Sequence, residues 1–248
     1  MKLLLFPHSH YCEKARWALD YKSISFQPVA ILPGFHIVTV RKYAPKTSVP
    51  VLLTEDIAVQ GSDEIIHYLD ARYPYKPLTP QLNEDQVKCL ELETWADTDL
   101  GQPLRQILYA GLLGYAEFVC DCFAFTMPKY KKFLLKMTYP VVRRKIYQAY
   151  VVSDEKVLSA KTKFATALEI LEERLSTKEY LVGNGFSRAD LTVASLLSLI
   201  VMPEEHPFPW QDIKIPDEKT QLFCENYAAH PVADWVRGMY KQHRIAES

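Results

Sequence analysis

Between Phe6 and Leu19 the chain reads FPHSHYCEKARWAL, and five side chains in it could do chemistry: His8, Ser9, His10, Tyr11 and Cys12. Histidines serve as bases or metal ligands, but those roles need clustered partners, and no carboxylate or second ligand sits beside His8 and His10 in sequence. A thiol at a helix N-terminus is a different case, because the helix end favours the thiolate. Cys12 could then act as a nucleophile on a disulfide, forming a mixed disulfide as the other sulfur leaves as a thiolate. Ser9 could cap the helix or donate its hydroxyl to an anion. Tyr11 could donate its phenol or simply pack. Cys120 and Cys122 flank a single aspartate and lack a second ligand pair, so they read as helix packing and no metal site is expected.

These residues need a strand before them and a helix after them. Lys2 to Phe6 is a short apolar run, and Tyr11 to Tyr21 places Ala15, Ala18 and Leu19 at helical spacing. A second strand is expected over Ile24 to Val29, then Pro33 and Gly34 precede a short helix ending near Tyr43. Val51 to Thr54 and Ile57 to Val59 are separated by hairpin length. Ser62 opens a helix with Ile65, Ile66 and Leu69 on one face, ended by Tyr73-Pro74. This βαβ-ββα order spans residues 1 to 75, and the proline-rich stretch to residue 83 reads as a linker.

From residue 84 to 248 the pattern is helical. Asn83 and Gln86 suggest a capping box for a helix running to about Phe125, bent at Gly101 to Pro103. Further helices are expected over Lys129 to Tyr150, Asp154 to Leu175, Ser187 to Val201, Asp217 to Tyr227 and Val232 to His243. Ser187 and Asp190 form a second capping box, with Phe186 stapled onto Leu191. The fold class is therefore α/β followed by all-α.

A formal net charge of −1 over 248 residues argues against a nucleic-acid partner. Five scattered cysteines and no charged-then-apolar leader suit a reducing, cytoplasmic setting. No uninterrupted apolar run reaches bilayer length, so integral membrane association is not expected.

Several motifs resemble the cytosolic glutathione transferase superfamily when taken in order. HSHYCEKARWAL is similar to its active-site loop, SVPVL to its cis-proline strand, GSDEIIHYL to its glutathione-binding helix, FSRADLTVASLL to its helical-domain motif and HPVADWVRGMY to its terminal helix. The resemblance implies a thioredoxin-like first domain, glutathione as co-substrate, a small-molecule electrophile as partner, and a homodimer. A free thiol with a pKa near 8.5 is only a few per cent ionised at neutral pH, and lowering it by about two units requires about 3 kcal/mol. On the family's S-x-x-C loop, Ser9 takes the thiolate-stabilising position and Cys12 the fourth. Ser9 therefore leads as the catalytic residue, with glutathione-dependent reduction through Cys12 as a further reading.

The same resemblance assigns glutathione binding to the backbone of Val49, to a cis Pro50, and to Ser62 and Asp63 at a helix start. Gly61 stands where the family often has Glu or Gln, leaving Gln60 or Asp63 to substitute. Ser48 stands where many members have Lys, leaving Lys46, Arg41 or Lys42 for the glycyl carboxylate. These two departures favour an alternative in which the fold binds a ligand or partner without efficient catalysis. Tyr11, Arg105 and Tyr109, with Tyr115 and Phe118, are the pocket residues implied by analogy. From Cys122 to Ser153 no acidic residue occurs, while seven cations interleave with seven aromatics. That segment could attract anionic ligands or a membrane surface, although a solvated basic face is the simpler account.

Overall fold

The computed structural model describes residues 1–151 and 153–244. Four short strands form one mixed sheet in the order β2-β1-β3-β4. β1 (Lys2–Leu5) lies parallel to β2 (Gln27–Ala30), with Lys2 opposite Gln27, and antiparallel to β3 (Val51–Leu53). β4 (Ala58–Gln60) closes the sheet as a hairpin with β3. Pro28 lacks an N–H, which suits β2 to the sheet edge. The second strand begins later than the apolar run suggested. Ile24 donates its amide to Leu19 at the end of the preceding helix, and extended pairing starts only where Gln27 meets Met1.

α1 (His10–Tyr21) joins β1 to β2, the short α2 (His36–Val40) follows β2, and α3 (Ser62–Arg72) follows β4. Gly61, not Ser62, caps α3. Its φ of 107° lies in the region that favours glycine, and Ser62 is the buried first helical residue. The Val49–Pro50 bond is cis. This is the expected thioredoxin-like arrangement, and an all-helical region follows it.

The stretch from residue 83 to Phe125 is three helices, not one bent one. α4 (Asn83–Ala96) runs into a π-turn at Asp97–Gly101, α5 (Gln102–Leu112) continues from it, and Gly114 separates α5 from α6 (Ala116–Phe123). The bend falls at the expected place, but the Asn83 capping box does not form: Leu82 is the cap and makes no side-chain hydrogen bond. α7 (Lys129–Ile146) ends in a second π-turn at Tyr147–Val151. α8 (Asp154–Leu175), α9 (Arg188–Val201), α10 (Glu218–Ala228) and α11 (Pro231–His243) lie within a residue of their sequence-based positions. Serine or aspartate caps at Ser153, Ser187 and Asp217 explain why.

One large core joins the two regions. α1 buries Ala15, Ala18 and Leu19 against α3 and α9, and α9 itself is buried almost throughout. Two buried ion clusters pin α1 in place. Lys14 Nζ lies 2.8 Å from Glu93 Oε1, whose other oxygen is 2.6 Å from Arg188 Nε. Glu13 Oε1 accepts from Arg244 Nε at 2.7 Å. Lys22, fully buried, donates to the carbonyls of Tyr73, Tyr75 and Lys76 and pairs with Asp70, so the stretch after α3 is an ordered strap. No described helix is long and apolar enough to cross a membrane.

Candidate active site

Ser9 is the N-cap of α1, with extended backbone angles, and its Oγ accepts the Cys12 amide at 3.4 Å. That bond uses a lone pair, so the hydroxyl proton remains available to a ligand. The positive end of a twelve-residue helix points at the same spot. Ser9 opens onto a cleft of about 250 Å³ between the sheet region and the helices. One wall carries Phe6, His8, Thr47, Ser48 and Val49; the other carries Arg105, Tyr109 and Phe118. A second lobe of about 440 Å³ shares Phe6, His8, Tyr109 and Tyr150 with it and runs beneath α7.

The other four residues of the loop have separate fates. His8 stacks on Phe123 at 4.5 Å and on Phe6 at 5.9 Å, and burial lowers its pKa to about 4, so the ring is neutral and serves as an aromatic wall. His10 lines the cleft while only 2% exposed. Burial, with the Arg105 charge second, holds its pKa well below the ordinary value. Tyr11 presents its ring to the cleft but donates its hydroxyl away, to the Asp97 carbonyl at 3.0 Å; burial raises its pKa and keeps it protonated. Cys12 faces the sheet core. Its Sγ accepts the Phe6 amide at 3.4 Å, it is fully buried outside the cleft lining, and burial pushes the thiol up to about 11. The helix end and the Ser9 contact do not outweigh that desolvation.

On the helical side, one face of α5 supplies Arg105, Leu108, Tyr109 and Leu112. The Arg105 guanidinium lies 4.2 Å from the Tyr150 ring centroid and 5.4 Å from that of Tyr11, a stacked cation. Burial raises Tyr109 to about 12. Tyr115 does not join them: it is exposed and donates its hydroxyl to Asp217 Oδ1 at 3.1 Å, because the chain breaks at Gly114 and turns it outward.

The remaining candidates lie around the cleft, not in its lining. The side-chain amide of Gln60 donates to the carbonyls of Lys46 and Ser48 and accepts from the Lys46 amide. It staples the 46–48 segment and is not free to replace a side chain at Gly61. A Cβ at Gly61 would come within 2.8 Å of Asp63 Oδ1. Ser62 is buried, Asp63 is exposed, and the Asp63 carbonyl accepts Arg188 Nη2 at 3.1 Å. Lys46, Arg41 and Lys42 are exposed. Pro50 is buried behind Val49, and its carbonyl accepts the Gly61 amide at 3.1 Å. Sequence reasoning missed His36, Tyr150 and Trp210 as cleft residues. Tyr150 sits in a π-turn and Trp210 in a short loop helix, so no periodic signal marks either. Among the described residues no three His, Cys, Asp or Glu converge to hold a metal.

Comparison with known proteins follows the same division. Residues 3–78 match the glutathione S-transferase N-terminal domain and residues 124–212 the C-terminal domain. Glutathione S-transferase Z1 of Arabidopsis thaliana is 33% identical over 84 residues, which is 33% of this chain and 38% of that protein. The chain thus aligns with well under half the length of this curated relative. A glutathione S-transferase structure from Rhodospirillum rubrum superposes with a TM-score of 0.64 at 18% identity, over 98% of this chain and 89% of that one. Another, from Methylobacillus flagellatus with glutathione bound, gives 0.63 at 18% identity over 98% and 96%. With both domains matched in order and the whole fold shared, the chain belongs to the glutathione S-transferase superfamily.

Proposed function

We propose that this protein uses glutathione to conjugate small electrophiles or to reduce peroxides, with the Ser9 hydroxyl donating to the thiolate. The observation that carries this reading is the presence of Ser9, at the head of α1, in one cleft with Val49 and an aromatic wall. Glutathione supplies the nucleophilic sulfur when bound. The backbone N–H and C=O of Val49 offer its peptide a strand-like partner, and the first amides of α3, at Ser62 and Asp63, suit its glutamyl carboxylate. Ser9 and the α1 terminus lower the thiol pKa. Arg105, Tyr109 and Phe118 face the electrophile. With 1-chloro-2,4-dinitrobenzene, a carbon–sulfur bond forms, chloride leaves and the thiol proton passes to water.

A hydrogen bond to a charged group contributes about 1.5–3 kcal/mol, so Ser9→Ala should lower turnover by about ten- to a hundredfold. The apparent pKa of the bound thiol should rise in parallel. Cys12→Ala should leave conjugation unchanged, because the thiol faces the core. An active Ser9→Ala paired with an inactive Cys12→Ala would instead favour thiol reduction through Cys12. A second reading, a transferase fold that binds without efficient catalysis, is favoured by the committed Gln60 and the bare Gly61. Calorimetry with millimolar glutathione separates them: absence of heat and of any thermal shift would leave only the second.

A further inference from the structure

α7 has an outward face unlike the rest of the surface. Tyr130, Phe133, Leu134, Met137 and Val141 fall at i, i+3, i+4, i+7 and i+11, the spacing of a single apolar stripe. Tyr130, Phe133, Met137 and Val141 are each between 61% and 67% exposed. The opposite side, with Leu135, Tyr139 and Val142, is buried, and the Tyr139 hydroxyl donates to the Leu113 carbonyl at 2.8 Å, so the orientation of the helix is set by packing. The sequence suggested a solvated basic face. The structure places the apolar residues at the centre of the exposed face and most of the cations at its edges.

Lys129, Lys136 and Arg143, seven residues apart, line one edge, and Lys131 and Lys145 line the other; Arg144 lies within the stripe at its last turn. Two neighbouring acids on α6 offset part of this charge, since Glu117 pairs with Lys136 at 3.0 Å and Asp121 pairs with Lys132. Lys129, Lys131, Arg143, Arg144 and Lys145 form no ion pair among the described residues, the α7 pairs being those of Lys132 and Lys136. From Phe123 to Val151 the chain contains no carboxylate.

We infer that α7 docks this protein on an anionic lipid surface, lying flat with its apolar stripe in the headgroup–acyl boundary. An interfacial helix combines an apolar face with a cation-rich border, and its edges meet lipid phosphates while its centre leaves water. An eighteen-residue helix is about 27 Å long, enough to lie along the interface without crossing it. A second copy of the chain is a poorer occupant. Two such faces meeting would set cationic edges against each other with no acidic residue from α7 to offset them. Val141 and Lys145 also border the second lobe of the cleft, but Tyr130, Phe133, Leu134 and Met137 do not, so the inference does not depend on the chemistry of the cleft.

The test is flotation of the full chain with vesicles of phosphatidylcholine alone or doped with phosphatidylglycerol. The protein should float only with the anionic vesicles, and added salt should release it. Arg143→Gln with Arg144→Gln should weaken partitioning about fivefold per charge removed. Phe133→Asp or Met137→Asp should abolish flotation with unchanged thermal melting, because both residues are exposed and neither lines the cleft. Absence of flotation with anionic vesicles overturns the inference. So does full binding by Met137→Asp, which would mean charge alone is sensed. If the wild type ignores lipid and Met137→Asp instead lowers the mass measured by light scattering, the face is a self-association surface and the inference fails.

Discussion

Residues a few positions apart in the α1 entrance end up with different chemistry because desolvation acts on position. Ser9 and Cys12 share the first turn of α1, yet one opens to the cleft and the other to the core, where burial keeps its thiol protonated. The stretch from His8 to Cys12 was legible as a candidate site; which of its side chains face the cleft was not, since facing is set by distant packing. His8 shows the same effect and yields a pH prediction. Its pKa is about 4 in the folded state against an ordinary 6.5, so the unfolded chain takes up a proton that the folded one refuses. Stability is therefore unaffected above about pH 6.5 and falls as pH drops toward 4. Between pH 7 and 5 this one ring should cost about 2 kcal/mol. His8→Phe keeps the stack with Phe6 and Phe123 while removing the titration. Denaturant midpoints at pH 7 and 5 should then differ less than in the wild type, and an equal pH dependence in both proteins would refute the assignment.

At the level of elements, most caps written into the chain form, the Asn83 box excepted, and local signals fail where a long-range contact decides. The helices from α8 to α11 were legible because Ser153, Ser187, Asp217 and Pro231 mark their starts. The division of the 83–125 stretch was not. A π-turn depends on how α4 and α5 seat on α9, and apolar periodicity runs through it uninterrupted. The capping box of α9 formed as its sequence implies, with Asp190 accepting the Ser187 amide at 2.9 Å. Only the fold reveals that the same carboxylate also accepts the Leu181 amide at 2.8 Å, tying a loop to the helix. Asp190→Ala should therefore cost more than an ordinary cap: about 1 kcal/mol for the cap, and about 1–3 kcal/mol for the buried Leu181 donor left without a partner. Urea unfolding measures the sum, and a loss no larger than that of Ser153→Ala would contradict it.

Across the whole molecule, the site exists because α1 is clamped between the sheet and the helical region. Glu93 on α4 lies buried between Lys14 of α1 and Arg188 of α9, and Arg188 also holds the Asp63 carbonyl at the head of α3. Glu93→Ala leaves the buried Arg188 without an acidic partner and Lys14 with only Asp97 at 3.2 Å, and should destabilise the fold by about 3–5 kcal/mol. Because both regions share one core, unfolding should remain a single transition at a lower urea midpoint; two separated transitions would show that the regions are independent. The sequence by itself determined the order of the strands and of the helices from α7 onward, the helix starts at Ser153, Ser187 and Asp217, and the Ser9 and Val49 segments as candidates for the site. Those features rest on periodicity, capping and motif order, which act over a few residues. Only the tertiary structure decided that Cys12 is sequestered, that Gln60 is spent on the Lys46–Ser48 backbone, that Tyr150 and Trp210 wall the cleft, and that α7 turns its apolar side outward. Each of those depends on which face of an element meets a distant neighbour, and burial rather than residue type then fixes the charge and reach of the side chain.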